Sequence, residues 1–166
     1  MFATIPGVDN SVPEYKSSAE KTMRTKWPRG TITTQTIGNI GLYYTCYRLS
    51  LYGWNVMPTA RNAKGIDLMA YSQTGLMRVL IQVKTLSKKN PVPLGTKLDC
   101  LFADFVVVCV RAYPNEPDCY IMTPKEICCL AHKGEKAGKT SYWLQPKSYH
   151  TDEFKGKWDR IGTGAL

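Results

Sequence analysis

Residues 64–85 read KGIDLMAYSQTGLMRVLIQVKT. Two alternating runs, Gly65–Tyr71 and Leu76–Thr85, flank Ser72-Gln73-Thr74-Gly75, which predicts a β-hairpin. Successive side chains of a strand point to opposite faces. Ile66, Leu68, Ala70, Val79, Ile81 and Val83 therefore share an apolar face. Asp67, Met69 and Tyr71, with Leu80, Gln82 and Lys84, take the other. Hairpin pairing brings Asp67 close to Gln82 and Lys84, so that a carboxylate, an amide oxygen and an ammonium converge at one end of a sheet. Hard oxygen donors of this kind suit Mg²⁺ beside a phosphate. A neighbouring lysine can position or deprotonate an attacking water and offset charge on the phosphate. The same spacing also fits a half-exposed sheet face carrying a surface Asp–Lys pair of little energetic value.

A helix over Ile37–Tyr52 precedes the hairpin. Ile40, Tyr44, Tyr47 and Leu51 recur at helical spacing, and Leu42, Cys46 and Leu49 form a second stripe, so this helix is expected to be largely buried. Thr34 or Thr36 can cap its start, and Gly53 suits a left-handed residue past its end. Gly38 and Gly41 cost helix propensity, which points to close backbone approach. Trp54–Thr59 reads as a short strand. Leu86–Phe102, with Lys88, Lys89, Pro91, Pro93 and Gly95, reads as a crossover loop with a little helix. Asp104–Arg111 is a Val-rich, buried central strand, and Cys119–Met122 is another strand. Thr123-Pro124-Lys125-Glu126 starts a helix with a capping box, expected to run to about Lys133. Residues 134–166 are rich in Lys and Gly, with Tyr142–Leu144 as an edge strand. This order gives an α/β (or α+β) mixed sheet flanked by helices, not a Rossmann alternation.

The 166 residues suit one domain, 31–166, preceded by a basic arm or tail over 1–30. Apolar residues at 43% and charged residues at 21% exclude a disordered chain and a charged coiled coil. The longest apolar run is Phe105–Val110, far short of the roughly 20 residues a spanning helix needs. Met1–Tyr15 does not read as a secretory signal. Six cysteines without a C-x-x-C pair, and two histidines outside any zinc spacing, suggest reduced, mostly buried thiols in a cytoplasmic protein. The net charge of +9 suggests a polyanionic partner, nucleic acid before an anionic membrane surface. In the arm, Lys26 and Arg29 flank Trp27, a pattern that serves backbone contact and stacking or an ordinary solvated tail. Arg61, Lys64, Lys88 and Lys89 could line a phosphate-tracking groove beside Asp67, or lie in solvated loops.

Several short motifs, taken together, resemble a known superfamily. Gly38-Asn39-Ile40-Gly41 sits on a Tyr-rich helix ending Leu51-Tyr52-Gly53-Trp54. Lys64-Gly65-Ile66-Asp67-Leu68 and Ile81-Gln82-Val83-Lys84-Thr85 follow. Over about residues 35–130 this pattern resembles the PD-(D/E)XK nucleases, nearest to small intron-associated endonuclease-like and Holliday-junction-resolvase-like members. Trp158-Asp159-Arg160-Ile161 adds to the likeness. The resemblance implies a restriction-endonuclease-like αβββαβ core and Mg²⁺-dependent hydrolysis of DNA phosphodiesters, with Mn²⁺ as a substitute ion. It implies Asp67 as the metal-binding aspartate, Gln82 in the place usually held by Glu or Asp, the Val83 carbonyl as a further ligand and Lys84 as the motif lysine. Two departures stand out. Leu42 occupies the position after the second Gly where members often carry Glu, and Gln82 is neutral. One anionic ligand then remains, which implies weak ion binding, or a DNA-binding module whose cleavage is slow or lost.

Other patterns are set aside. Gly134-Glu135-Lys136-Ala137-Gly138-Lys139-Thr140 has one residue too few between its glycines for a phosphate loop and follows a helix. His132 reads as a partner of a helix C-terminus, and Cys128-Cys129 as core filling. A homodimer is compatible with duplex cutting across a twofold axis. A protein-interaction domain whose charge only aids solubility is the reading outside nucleic-acid chemistry.

Overall fold

The first helix, α1 (Thr34–Leu51), packs against a five-stranded sheet. The computed structural model describes residues 32–60, 65–99 and 101–165, all within one compact unit, Thr31–Leu166. The expected basic arm over 1–30 lies outside the described residues.

The strands are β1 (Asn55–Pro58), β2 (Leu68–Tyr71), β3 (Arg78–Thr85), β4 (Val92–Gly95), β5 (Phe105–Val110), β6 (Asp118–Met122), β7 (His132–Lys136) and β8 (Lys139–Leu144). The helices after α1 are α2 (Pro124–Leu130), α3 (Pro146–Tyr149) and a closing 3₁₀ turn, Trp158–Ile161. The main sheet runs β1-β2-β3-β5-β6, with β3 and β5 parallel and the other neighbours antiparallel. The predicted hairpin is β2–β3, with Leu68 opposite Ile81.

β5 shows why the sheet is central. Val107 and Cys109 face the α1 side and join Leu49, Leu68, Ile81, Ile121 and Trp158. Val106, Val108 and Val110 face the other side and join Val92, Tyr120, Met122, Ile127 and Leu144. Both faces of this strand are dry, as its unbroken apolar run requires. Arg160 closes the second layer, donating to the Ile121 carbonyl at 2.7 Å and pairing with Glu126 of the α2 capping box.

α1 departs from expectation in two ways. Its N-cap is Thr33, whose Oγ1 accepts from the Thr36 N–H at 3.1 Å, rather than Thr34 or Thr36. Its buried residues form one narrow stripe, Ile37, Gly41, Thr45 and Leu49, while Tyr43, Tyr47 and Leu51 are exposed. Only one layer, the sheet, covers this helix: Leu42, Cys46 and Leu49 of the second stripe pack on the core, while Tyr47 and Leu51 of the first are left in solvent. Gly53 is left-handed, as its place after the helix predicts. Gly41 meets β3 closely, since a Cβ there would lie 2.0 Å from Thr85 Oγ1. Gly38 has no such neighbour.

The C-terminal third departs further. α2 stops at Leu130, and the segment read as its last turn is strand β7. β4, β8 and β7 form a second sheet in that order, so β8 is its centre and not an edge. Alternating burial of Val92 and Leu94 made β4 a strand where the prolines had suggested loop. His132 is therefore a strand residue, not a helix cap. Cys128 and Cys129 are exposed, because α2 buries Ile127 and is too short to bury a second side.

The Gly41–Thr85 contact gives a test. Gly41→Ala gains about 1 kcal/mol of helix propensity but overpacks the junction at a cost of roughly 1–3 kcal/mol. Urea unfolding should show net destabilisation, largely recovered in Gly41→Ala/Thr85→Ala. Stabilisation by Gly41→Ala alone would contradict the close contact.

Candidate functional site

Asp67 stands immediately before β2 and is held on several sides. Its N–H donates to the Ile81 carbonyl at 2.9 Å, and its own carbonyl accepts from the Thr59 N–H at 2.9 Å. Thr59 Oγ1 donates to the neighbouring Ile66 carbonyl at 2.7 Å. The end of β1 thus fixes the backbone that presents the carboxylate. One carboxylate oxygen, Oδ2, accepts the Val83 N–H at 2.7 Å. A charged acceptor on an amide gives a short, strong bond of this kind.

That bond sits where the β2–β3 ladder ends. The register pairs Leu68 with Ile81, and one further step sets Asp67 opposite Gln82. Beyond it no β2 residue covers β3. A strand residue's N–H and C=O point to the same edge, so the Val83 carbonyl lies on the uncovered edge that Asp67 occupies. Among the described residues, no hydrogen bond outside the sheet ladders reaches it.

Gln82 projects to the face shared with Leu80 and Lys84, beside Val106 on β5. Its Oε1 is buried and has no hydrogen-bond partner. An unsatisfied buried acceptor costs about 1–3 kcal/mol. The group is therefore poised to accept from a donor or to coordinate a cation. Lys84 is half-buried one alternate position further along the same face. Its ammonium makes no ion pair with Asp67 within 4.0 Å among the described residues. The carboxylate is consequently not neutralised by the lysine.

The structure thus brings Asp67, Gln82 and the Val83 backbone together at one ladder end and places Lys84 next along the strand. Leu42 packs against the α1-side core and, being apolar, supplies no ligand. No group of three or more His, Cys, Asp or Glu side chains with metal-binding geometry occurs among the described residues. The donor set is one carboxylate and two neutral oxygens. Hard, compact oxygens of this type fit Mg²⁺ or Mn²⁺, and their low charge fits weak affinity. Lys88 and Lys89 are exposed on the turn that follows β3. Lys26, Arg29, Arg61 and Lys64 lie outside the described residues.

Asp104 was not singled out from sequence. Its Oδ2 accepts the Leu80 N–H at 2.8 Å, and its own N–H donates to the Leu80 carbonyl at 2.8 Å. It latches β5 to the start of β3 and so sets the register that carries Gln82 and Lys84. A short acidic residue directly ahead of a dense apolar strand was the available clue.

No protein-family model matches the sequence, and no curated protein matches it. Solved structures do. A bacterial homing endonuclease, I-Ssp6803I, superposes with a TM-score of 0.51 at 16% identity, covering 79% of this chain and 92% of that one. Hjc from Archaeoglobus fulgidus, a Holliday junction resolvase from an archaeal hyperthermophile, superposes with a TM-score of 0.52 at 15% identity, covering 75% and 93%. Helix α1 followed by a mixed five-stranded sheet is the shared architecture, and this chain has the restriction-endonuclease-like fold of the PD-(D/E)XK nucleases.

Proposed function

We propose that the chain is a divalent-cation-dependent DNA endonuclease of low intrinsic ion affinity, with Asp67, Gln82, the Val83 carbonyl and Lys84 as its site. The observation that carries this reading is the buried, partnerless Gln82 Oε1 in register with the Asp67 carboxylate, at the one end of the hairpin where β3 is uncovered. The +9 charge favours a polyanionic substrate. The two solved structures with the same fold are an endonuclease and a resolvase.

Asp67, through the oxygen not bonded to Val83, would supply the anionic ligand, and Gln82 Oε1 and the Val83 carbonyl the neutral ones. When bound, Mg²⁺ or Mn²⁺ supplies Lewis acidity, lowering the pKa of water and offsetting charge on a phosphate. The chain's own groups do the rest. The Val83 N–H and the Thr59 contacts hold the Asp67 carboxylate in one orientation, so little reorganisation accompanies substrate binding. Lys84 donates to a non-bridging phosphate oxygen or to the attacking water, and its charge stabilises the additional negative charge of the transition state. Lys88 and Lys89, exposed on the turn after β3, would contact a phosphate backbone leaving the site. A second reading, a DNA-binding module with cleavage lost, is favoured only by the single carboxylate of the site.

Two experiments test this. In a supercoiled-plasmid nicking assay with Mg²⁺ or Mn²⁺, Asp67→Asn should lower the rate about 100-fold or more, and Lys84→Ala about 100- to 1,000-fold, as expected for loss of a charge-stabilising donor. Nicking that is equal with and without Asp67 would refute the site, and DNA binding without nicking would support the second reading.

Gln82→Glu adds the missing charge. Mn²⁺ titration by calorimetry should show affinity raised about ten-fold, since ligand charge count sets affinity. Without metal the two carboxylates repel, so the variant should melt below wild type. Saturating Mn²⁺ should restore it by about 2.7 kcal/mol at a hundred times Kd. A variant whose stability ignores Mn²⁺ would place the cation elsewhere.

A further inference from the structure

The β7–β8 hairpin carries an outer face that the Asp67 site does not use. Its two-residue turn, Ala137 and Gly138, has positive φ at both positions, 50° and 70°. Such turns match strand twist and make tight hairpins. The register pairs His132 with Trp143, Gly134 with Ser141 and Lys136 with Lys139. These six residues share one face. Leu144 and Tyr142, on the other face, pack into the core. The hairpin's sole carboxylate, Glu135, is exposed on that opposite face, so none of the six outer-face residues is acidic.

Two features of the outer face point to a ligand. Lys136 and Lys139 are both exposed and directly opposed across the strands. Like charges in that position are destabilising, and a phosphate between them would relieve the repulsion. Further along, Trp143 leans over Gly134, where a Cβ would sit 2.5 Å from its ring, and stacks on His132 at 6.4 Å between centroids. Gly134 thus keeps room for a partly exposed aromatic platform. From His132 to Lys136 the strand spans about 13 Å, several nucleotides of a DNA strand at ~3.4 Å each. β4, which pairs with β8 in the second sheet, follows Lys84, Lys88 and Lys89 in the chain.

We propose that this outer face is a DNA-contact surface, with Lys136 and Lys139 gripping a phosphate and the His132–Trp143 pair supporting an adjacent sugar or unpaired base. Lysine on phosphate and aromatic on base is the combination by which proteins hold exposed strands. The inference rests on the reading of the chain as a DNA-acting protein and adds a second contact to it.

The test uses the full chain, fluorescein-labelled duplex and single-stranded 20-mers, and fluorescence anisotropy over a salt series. Lys136→Gln/Lys139→Gln should bind about ten-fold more weakly at 0.1 M salt, with the duplex salt slope reduced by about 0.9, for the one phosphate that is no longer neutralised. Lys125→Gln/Lys147→Gln removes the same charge from the exposed surface of α2 and α3 and should stay within two-fold of wild type. Equal weakening in both variants would reduce the effect to net charge, and unchanged binding in both would rule out the hairpin as a DNA surface; each overturns the proposal. Polyglutamate or an anionic vesicle binding more tightly than DNA, with the same dependence on Lys136 and Lys139, would reassign the face and overturn it too. If wild type nicks plasmid while the hairpin variant binds as wild type does, only this inference fails. If wild type neither binds nor nicks, the underlying reading fails with it.

Discussion

The bond from the Val83 N–H to the Asp67 carboxylate is the constraint on which the site depends. It closes the β2–β3 ladder with a side chain where a further strand residue would ordinarily stand. That substitution satisfies a buried donor, and it leaves the carboxylate's other oxygen and the Val83 carbonyl at one uncovered edge. A backbone partner in place of Asp67 would have continued the sheet and covered the edge. The β2–β3 ladder thus stops at the Leu68–Ile81 pair, just before Gln82–Lys84.

Around that edge the fold's packing supplies rigidity. β5 is buried on both faces, Asp104 latches it to β3, and Gly41 lets α1 approach the last residue of β3. The strand that carries Gln82 and Lys84 is therefore braced from the helix side and from its parallel neighbour. Sites on rigid elements hold geometry better than sites on loops. Against this rigidity stands a weak ligand set of one charge and two neutral oxygens. On the proposed function, such a site would load its cation chiefly when substrate phosphate completes the coordination, and metal binding would then be coupled to DNA binding.

Much of this was legible in the sequence, for physical reasons that can be named. Period-two alternation with a Gly-ended turn specified the β2–β3 hairpin and set Asp67 opposite Gln82. The apolar run Phe105–Val110 specified a strand buried on both faces, and Thr123-Pro124-Lys125-Glu126 specified a capped helix. The second sheet was not legible. His132–Lys136 has no alternation of hydrophobicity, because both faces of β7 are exposed apart from Gly134. Its strand state comes from pairing with β8. Nor did periodicity show that α1 would leave Tyr43 and Tyr47 exposed, since a helix's pattern reports which faces are apolar and not which layers exist to cover them. At the proposed site, Asp67, Gln82 and Lys84 could be named from the sequence, but the partnerless Gln82 oxygen and the Asp104 latch depend on strand register, which only the folded chain displays.

The proposed function requires the oxygens of Asp67, Gln82 and Val83 to converge on one cation. Anomalous diffraction from a crystal of this chain soaked in Mn²⁺ measures that most directly. A single strong manganese peak is expected in coordination contact with the free Asp67 oxygen, Gln82 Oε1 and the Val83 carbonyl, and it should vanish in Asp67→Asn. A peak at another carboxylate, such as Glu116 or Asp118, with none at the end of the β2–β3 ladder, would contradict that convergence.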